Sequence, residues 1–274
     1  MSLTSFIAAA LFESRYGAVE QVVPETWNAV LETILGHRSV RSFTPAALPD
    51  SVLPTLVAAA QSASTSSNLQ CWSVVAVREA ERKARLSELA GNQRSIREAP
   101  LFLVWLADLA RNEAIARAQN APLEGLHYLE TLFVCIIDAA LAAQNAAVAA
   151  ESLGLGVCYI GAVRNHPEGI AAELGLPPRV LPVFGMCIGR SDPAKSAEIK
   201  PRLPQPAVLH LESYAAQPAA IETYEERVKR VQASEGQEAA GWIRRMLNRL
   251  ASKDSLNGRD RMKEAIANLG FEIK

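Results

Sequence analysis

Apolar residues recur at helical spacing along much of the chain, and this pattern predicts a helix-rich protein. In the first clear case Val30, Leu31 and Ile34 share one helical face. Thr26 is the candidate N-cap of this helix and Gly36 its stop. Further helices are predicted over residues 51–63, 79–90, 124–153, 167–175, 221–232, 240–251 and 260–268.

Shorter apolar runs between these helices predict strands. They cover residues 72–77, 101–106, the interval between glycines 154 and 161, and 180–188. The run at 101–106 is continuously apolar, which is typical of a strand covered on both faces. We expect Pro182 to mark an edge strand or a strand start. Residues 111–123 are expected to form a short loop.

The longest predicted helix, residues 124–153, is apolar on nearly every side. Such a helix is buried all round, either within its own domain or against a second copy of the chain, and we favour self-association. Asp138, Gln144 and Asn145 interrupt the apolar run, which indicates a buried helix rather than a membrane span.

Charge and cysteine content narrow the class of protein. The 274 residues carry 28 basic and 29 acidic side chains, so no bulk charge argues for nucleic acid or an anionic membrane as partner. Four cysteines stand singly in apolar runs without metal-ligand spacing, which favours buried, reduced thiols and no metal site. Glu13 and Arg15 come too early for a secretory signal. We therefore expect a cytoplasmic protein with a small ligand.

Residues 36–43, GHRSVRSF, concentrate hydrogen-bond donors directly after the first helix. In extended backbone His37, Ser39 and Arg41 point to the same side, with no carboxylate to neutralise them. Such a face suits a phosphate and an electron-rich ring. For the octapeptide alone, the alternative is a basic, solvated helix exit.

Two later segments add polar and basic groups. Residues 62–70, SASTSSNLQ, are mostly hydroxyl and amide side chains, which disfavour a helix and favour a loop that hydrogen-bonds a ligand. A flexible linker is the alternative, but the segment is short and leads directly into a strand. Lys200 and Arg202 place two cations on one side of an extended segment.

Several motifs in a fixed order resemble one family. They are HRSVRSF, a Ser/Thr run ending in NLQCW, GNQ, AAQNA with ESLGLG, YIG and KPRLP. Together they resemble the nitroreductase family of FMN enzymes, and in particular its oxygen-insensitive NAD(P)H nitroreductase/flavin reductase branch with a long C-terminal arm. Each motif is weak alone, whereas their conjunction over roughly residues 28–250 is specific.

The resemblance implies an α+β nitroreductase-like fold. A small mixed, mainly antiparallel sheet would be surrounded by helices, in an intertwined homodimer with two FMN sites at the interface. Residues 1–24 would be an N-terminal extension, 25–215 the FMN-binding core and 216–274 a helical C-terminal arm.

The resemblance also implies which residues bind FMN. They are His37, Arg38, Ser39, Arg41, Thr65, Ser66, Ser67, Gln70, Gln93, Tyr159, Ile160, Gly161, Lys200 and Arg202. The loop that contains Thr65 would come from the other subunit. The backbone amide of Gly161 would face flavin N5, and Arg41 would stabilise the negative charge that appears on the reduced ring. No side chain is expected to be catalytic, because the flavin carries the chemistry.

The activity implied is a ping-pong transfer of two electrons from NAD(P)H to nitroaromatics, quinones or free flavin. One alternative is a protein that binds or stores FMN without turnover. Another is a specialised reductase, such as a dehalogenase or a flavin destructase. The short 111–123 loop counts against this second alternative, because those relatives usually carry an inserted lid.

The coenzyme preference is left open by the sequence. Long-arm relatives place an arginine in the arm to hold the 2′-phosphate of NADPH, and Glu235 stands at that place here. A carboxylate repels a phosphate and commonly holds a ribose diol instead. Arg227, Lys229 or Arg230 could substitute for the missing arginine, so both NADPH and NADH remain candidates.

Overall fold

The computed structural model describes residues 3–17, 25–195, 197–234 and 236–274. Its strands are β1 (Trp72–Val77), β2 (Leu101–Asp108), β3 (Gly156–Ile160) and β4 (Val180–Gly189). Its helices are α1 (Leu3–Tyr16), α2 (Ala29–Leu35), α3 (Val52–Gln61), α4 (Ala80–Leu89), α5 (Arg94–Glu98), α6 (Ala110–Ala118), α7 (Leu129–Ser152), α8 (Pro167–Leu174), α9 (Pro218–Ser234), α10 (Gly241–Leu250) and α11 (Met262–Asn268).

The chain divides into two compact units. The helical unit comprises Met1–Arg38 and Glu198–Leu256, and the sheet unit comprises Ser39–Ala197 and Asn257–Lys274. The helical unit contains α1, α2, α9 and α10, and the sheet unit contains every strand named above.

The sheet unit is built on four strands in the order β1-β2-β4-β3, and every pairing between them is antiparallel. Ser39 forms an isolated parallel bridge with Val157. The expectation of a mixed sheet is therefore wrong for the strands themselves, and the parallel character is confined to that bridge among the described residues.

Strand β2 is buried along its whole length, as its apolar run predicts. Phe102, Val104 and Leu106 face one cluster, which includes Leu86 of α4 and Ile170 of α8. The alternate residues Leu101, Leu103 and Trp105 face the other cluster, with Leu56 of α3 and the alanines of α7. Helices thus cover both faces of the sheet, and full burial of each large side chain contributes about 2 kcal/mol.

Pro182 is the third residue of β4, at a position that β3 does not reach, so the expectation of an edge or a strand start holds there, although β4 is an interior strand from Gly185 onward. The register shifts between Trp105 and Leu106, so Leu106 pairs with Pro182 while Trp105 pairs with Phe184. Strand β3 pairs with β4 only from Gly185 onward. Proline is accommodated here by an adjacent bulge and by the absence of a β3 partner at its position.

Helix α7 has two different faces. Nine residues, among them Leu132, Cys135 and Ala139, are buried. Leu129, Phe133, Ile137 and Leu141 form a stripe four residues apart, and each is between 42% and 55% exposed. Burial on all sides is therefore not achieved within the described chain. By length and composition α7 could cross a membrane, but its buried face packs on α3 and the sheet, as in a core helix of a globular protein.

Local signals were partly misassigned from sequence. Asn28, not Thr26, caps α2, and its side-chain oxygen accepts hydrogen bonds from the amides of Val30 and Leu31, both at 3.0 Å. Residues 111–123 are not a plain loop, because α6 extends through residue 118. The four cysteines are free and buried, as expected.

Two sets of hydrogen bonds from side chains to backbone groups hold the helical unit together. Glu225 of α9 accepts hydrogen bonds from the amides of Trp242 and Ile243, at 2.8 and 2.9 Å, and thereby caps the first turn of α10. The last turn of α1 contains Arg15, whose side chain is buried among backbone carbonyls of the same unit. Residues 3–16 of the expected N-terminal extension thus form a helix that is hydrogen-bonded into this unit.

Candidate functional site

The segment after α2 enters the sheet unit beside β3. Ser39 pairs with Val157, and the amide of Val40 donates to the carbonyl of Val157 at 2.9 Å. This approach requires a glycine at 156, because a Cβ there would lie 2.7 Å from the Val40 side chain. The contact places Ser39 alongside the strand that ends in the YIG motif.

Gly161 follows β3 and begins a short 3₁₀ turn, Gly161–Asn165. A Cβ at this position would meet only the side chains of Arg164 and Arg259, at 3.5 and 3.9 Å, which are ordinary contacts. Packing within the described chain therefore does not require a glycine at 161. The backbone here is open to close approach by a ligand.

The other two residues of the YIG motif have distinct environments. Ile160 is buried in the core. The Tyr159 ring stands edge-on to Phe184 at 5.4 Å, and its hydroxyl donates to Oε1 of Gln144 at 3.3 Å. Burial raises the pKa of Tyr159, so the phenol stays protonated at neutral pH. Tyr159 still exposes 36% of its surface, so it is accessible to a ligand.

Arg41 is exposed, and its guanidinium donates to the carbonyl of Ser39 at 3.4 Å. Its charge also acts on the Cys158 thiol. Burial raises the pKa of that thiol, and Arg41 opposes the shift. Arg41 therefore lies close enough to β3 for its charge to be felt there.

Gln93 lies immediately before α5 and is partly buried, with its carbonyl accepting from the Ser87 hydroxyl at 2.9 Å. The loop that carries it passes the turn after β3, because a Cβ on Gly91 would lie 3.3 Å from Nδ2 of Asn165. Ser39 and Arg41 thus lie along β3, and the loop before Gln93 lies against the 3₁₀ turn that follows the YIG motif.

Thr65, Ser66, Ser67 and Gln70 belong to one strained loop. Ser67, Asn68 and Gln70 have φ values of 48°, 54° and 50°, a left-handed conformation that non-glycine residues rarely adopt. Such strain is most common at functional sites. The predicted polar loop therefore has a defined conformation, unlike a flexible linker.

The hydrogen bonds of this loop run to α7 and α6. Asp138 of α7 accepts from the Thr65 hydroxyl at 2.5 Å and from the Ser66 amide at 3.1 Å. Arg111 donates to the Gln70 carbonyl at 2.5 Å, and Asn112 donates to the Leu69 carbonyl at 3.1 Å. Asp138, Arg111 and Asn112 were not among the residues predicted from sequence.

In the helical unit, Arg15 organises the predicted phosphate-binding residues. Its guanidinium donates to the carbonyls of Leu35 and Lys200, both at 3.0 Å, and to that of His37. Its own carbonyl accepts from the amide of Arg202 at 2.9 Å. The two basic segments, distant in sequence, are therefore joined by one buried arginine.

Arg38 lines a cavity of about 580 Å³ in the same unit. Its other lining residues are Ser14, Glu198, Ile199, Arg227, Val231 and Ser234. Arg227, one of the proposed substitutes for the missing arginine of the arm, donates to the carbonyls of Glu13 and Ser14. Burial lowers the pKa of Arg227, with the nearby Arg230 adding to the effect. Glu235 lies outside the described residues.

Sequence reasoning missed Arg15 and Asp138 for the same reason. Both are single charges within helices, and a helical pattern does not reveal which charge is turned inward. For Asp138, a signal was available, because an acid at the centre of an almost wholly apolar helix is unusual.

Comparison with known families and proteins gives a consistent result. Residues 34–190 match the model of the "Nitroreductase family", and residues 200–274 match that of the "Nitroreductase family, C-terminal domain".

Among characterised relatives, "FMN reductase (NADPH)" of Bacillus subtilis (strain 168) is 46% identical over 188 residues, which are 68% of this chain and 75% of the relative. The "Oxygen-insensitive NADPH nitroreductase" of Salmonella typhimurium is 40% identical over 184 residues, 67% of this chain and 74% of the relative. Among solved structures, the NfrA1 nitroreductase from B. subtilis superposes with a TM-score of 0.83 at 38% identity, covering 89% of this chain and 99% of that one.

Proposed function

Because the chain belongs to the nitroreductase family, we propose that it is an NAD(P)H-dependent FMN oxidoreductase that reduces nitroaromatics, quinones or free flavin. The observation that carries the proposal is the open backbone at Gly161, at the end of β3, the strand along which Ser39 and Arg41 lie. The names of the relatives, an FMN reductase and a nitroreductase that use NADPH, agree with it.

The residues of this chain fit FMN. A flat ring needs a backbone surface that it can approach closely, and Gly161 offers one that protein packing does not require. A phosphate needs charged donors, and Lys200 and Arg202 supply them on a segment fixed by Arg15. We assign His37, Arg38, Ser39, Lys200 and Arg202 to the phosphate and ribityl end, and Arg41 to the pyrimidine edge.

When bound, FMN supplies the redox chemistry, because it accepts a hydride from NAD(P)H and passes on two electrons in a ping-pong reaction. The side chains of this protein bind and orient. Arg41 places a positive charge where the ring becomes negative, which favours reduction. Tyr159, held by Gln144 and Phe184, lines the cleft as a neutral phenol whose hydroxyl donates to Gln144.

The exposed stripe on α7 supports a homodimer. Leu129, Phe133, Ile137 and Leu141 lie on one helical face, and four large apolar side chains in a row rarely stay in contact with water. We propose that a second copy covers them in a cytoplasmic dimer. The strained loop with Ser66, Ser67 and Gln70 would then serve the flavin of the partner subunit.

The cavity beside α9 bears on the coenzyme. Arg227 places a guanidinium group on this cavity, and a positive charge there suits the 2′-phosphate of NADPH. Glu198 on the same wall is an acceptor for ribose hydroxyls. We propose that NADPH is used, with NADH as a weaker alternative.

The test is purification followed by anaerobic mixing with NADPH and with NADH in a stopped-flow spectrometer. The proposal is supported if the protein is yellow and NAD(P)H bleaches its visible absorbance at least as fast as the enzyme turns over. The rate of NAD(P)H oxidation should also rise when menadione or nitrofurazone is added. A colourless protein that FMN does not reconstitute contradicts it. Bound FMN that neither coenzyme bleaches would instead indicate a storage protein.

A further inference from the structure

Asp138 is a buried carboxylate that the proposed chemistry does not use. Only 2% of its surface is exposed, at the centre of α7. The ion pairs of the described residues do not include it, so hydrogen-bond donors alone satisfy its charge. A buried charge without a cation is costly, and a chain that keeps one does so for a structural or functional reason.

The donors to Asp138 come from one place. The Thr65 hydroxyl and the Ser66 amide donate to Oδ2 and Oδ1, at 2.5 and 3.1 Å, and the Cys71 thiol lies 3.7 Å from Oδ2. The amide of Gln70 in turn donates to the Thr65 hydroxyl oxygen at 3.0 Å. The Thr65 hydroxyl therefore forms its hydrogen bonds inside the protein, where it links the Asp138 carboxylate to the loop.

The loop needs such an anchor because its backbone is strained. Three of the four residues from Ser67 to Gln70 are left-handed without being glycine, and an unrestrained chain would relax to other conformations. Arg111 and Asn112 hold the carbonyls of Gln70 and Leu69 at the far end of the loop. Asp138 holds the near end.

The side chains between the two anchors face outward. Ser66, Ser67, Asn68, Leu69 and Gln70 are all exposed. A surface loop that is polar, strained and hydrogen-bonded at both ends keeps one conformation. Because its side chains are not part of the core, we interpret this fixed conformation as a ligand-binding feature.

From this geometry we infer that Asp138 is a positioning residue that holds the Thr65–Gln70 loop in the conformation that contacts the flavin ring and ribityl chain. The inference rests on the proposed function. Asp138 acts through Thr65 and Ser66 and does not itself touch the cofactor.

The experiment measures binding of FMN and of riboflavin to apoprotein by quenching of flavin fluorescence, for D138A and D138N. D138A should weaken both flavins by tenfold or more and to a similar extent, because the loop serves the part that the two ligands share. D138N should weaken them less, since the amide oxygen still accepts from the Ser66 amide.

The matched control is N145A, two turns along the same helix. Asn145 donates to the carbonyl of Ala59 in α3 at 3.2 Å, and its hydrogen bonds within the described part of the chain do not include the loop. N145A should lower the melting temperature of the apoprotein as D138A does, yet leave flavin affinity unchanged. Equal losses of melting temperature with a loss of flavin affinity in D138A alone would distinguish a positioning role from a general effect on stability.

If D138A does not fold, the single variants T65V and D138N and their double variant test the inference instead. Because the carboxylate acts through the Thr65 hydroxyl, the double variant should lose less affinity than the product of the two single losses. Full additivity, wild-type affinity in D138N and T65V, or an equal loss in N145A would each overturn the inference. Absence of flavin binding by the wild-type protein would instead contradict the proposed function.

Discussion

The carbonyl oxygen of Arg15 accepts a 2.9 Å hydrogen bond from the amide of Arg202. The side chain of the same arginine donates to the carbonyl of Lys200, so both cations of the KPR motif are fixed through one residue of α1. A helix that the sequence pattern leaves outside the essential fold thus shapes the segment to which we assign the flavin phosphate.

Replacement of Arg15 by Met should lower the free energy of unfolding by about 2–4 kcal/mol, because buried carbonyls lose a charged donor. Urea denaturation gives this value. The control is Arg94→Met, which removes only an exposed pair with Glu98 and should cost less than about 0.5 kcal/mol. Equal effects of the two changes would show that Arg15 is not a structural anchor.

Arg202→Ala should weaken FMN binding by at least about tenfold, the loss expected for one charged hydrogen bond of roughly 1.5–3 kcal/mol. Riboflavin lacks the phosphate, so its affinity should not change. Fluorescence titration with both flavins measures the two values. A parallel loss of riboflavin affinity would mean that Arg202 supports the fold of the site rather than the phosphate.

Phe133→Asp places a charge at the centre of the exposed stripe of α7 and should convert a dimer into monomers. The mass is read by sedimentation equilibrium, and the monomer should also lose its flavin. Ile115→Asp on α6, at a similarly exposed position, is the control and should leave the mass unchanged. A dimeric Phe133→Asp protein would place the interface elsewhere.

Glu225→Gln should weaken the attachment of α10 to α9. Hydrogen bonds from the amides of Ile243 and Trp242 hold the pKa of Glu225 below its ordinary value. The stabilisation is present above the unfolded-state pKa of about 4.3 and is lost as the pH falls through the lowered folded-state pKa. The variant should therefore be about 1 kcal/mol less stable at pH 7, and the difference should vanish in strong acid. A difference that is independent of pH would contradict the charged cap.

Glu235→Arg tests the proposed coenzyme preference. If this position faces the adenosine end of the coenzyme, a guanidinium there should raise the ratio of kcat/KM for NADPH to that for NADH, since it exchanges repulsion of a phosphate for attraction. Arg227→Ala should move the same ratio the other way. An unchanged ratio in both variants would place the 2′-phosphate outside the cavity beside α9.

The parts of the fold that sequence predicts well are those governed by local periodicity. The bounds of β1 and the burial of β2 follow directly from runs of apolar residues, and Gly175 ends α8 in the left-handed conformation that its sequence position suggests. The bulge beside Pro182 is not predicted by local rules, because it depends on the register of the neighbouring strand.

In the site, too, features that depend on local sequence are predicted and those that depend on distant residues are not. Motifs indicate which residues carry donors, and the structure pairs Ser39 with Val157, two residues before the YIG motif. The anchor Arg15 could not be chosen, because its partners are backbone carbonyls far away in the chain, and backbone groups leave no mark in a sequence. Asp138 stands out as an acid in an apolar helix, but its partners Thr65 and Ser66 lie more than 70 residues away and no local rule identifies them. Asn28 was missed as a cap because Thr26, two residues earlier, satisfies the same rule.

The tight packing at Gly156 has a practical consequence for anyone who engineers the acceptor range of this enzyme. A library that randomises the glycine-rich region after α7 will contain, at position 156, only members in which a new side chain collides with Val40 and Ser191. Selection at that codon will return the parental residue whatever substrate is offered. Randomisation is therefore more productive at neighbouring codons whose side chains are already exposed, beginning with Tyr159.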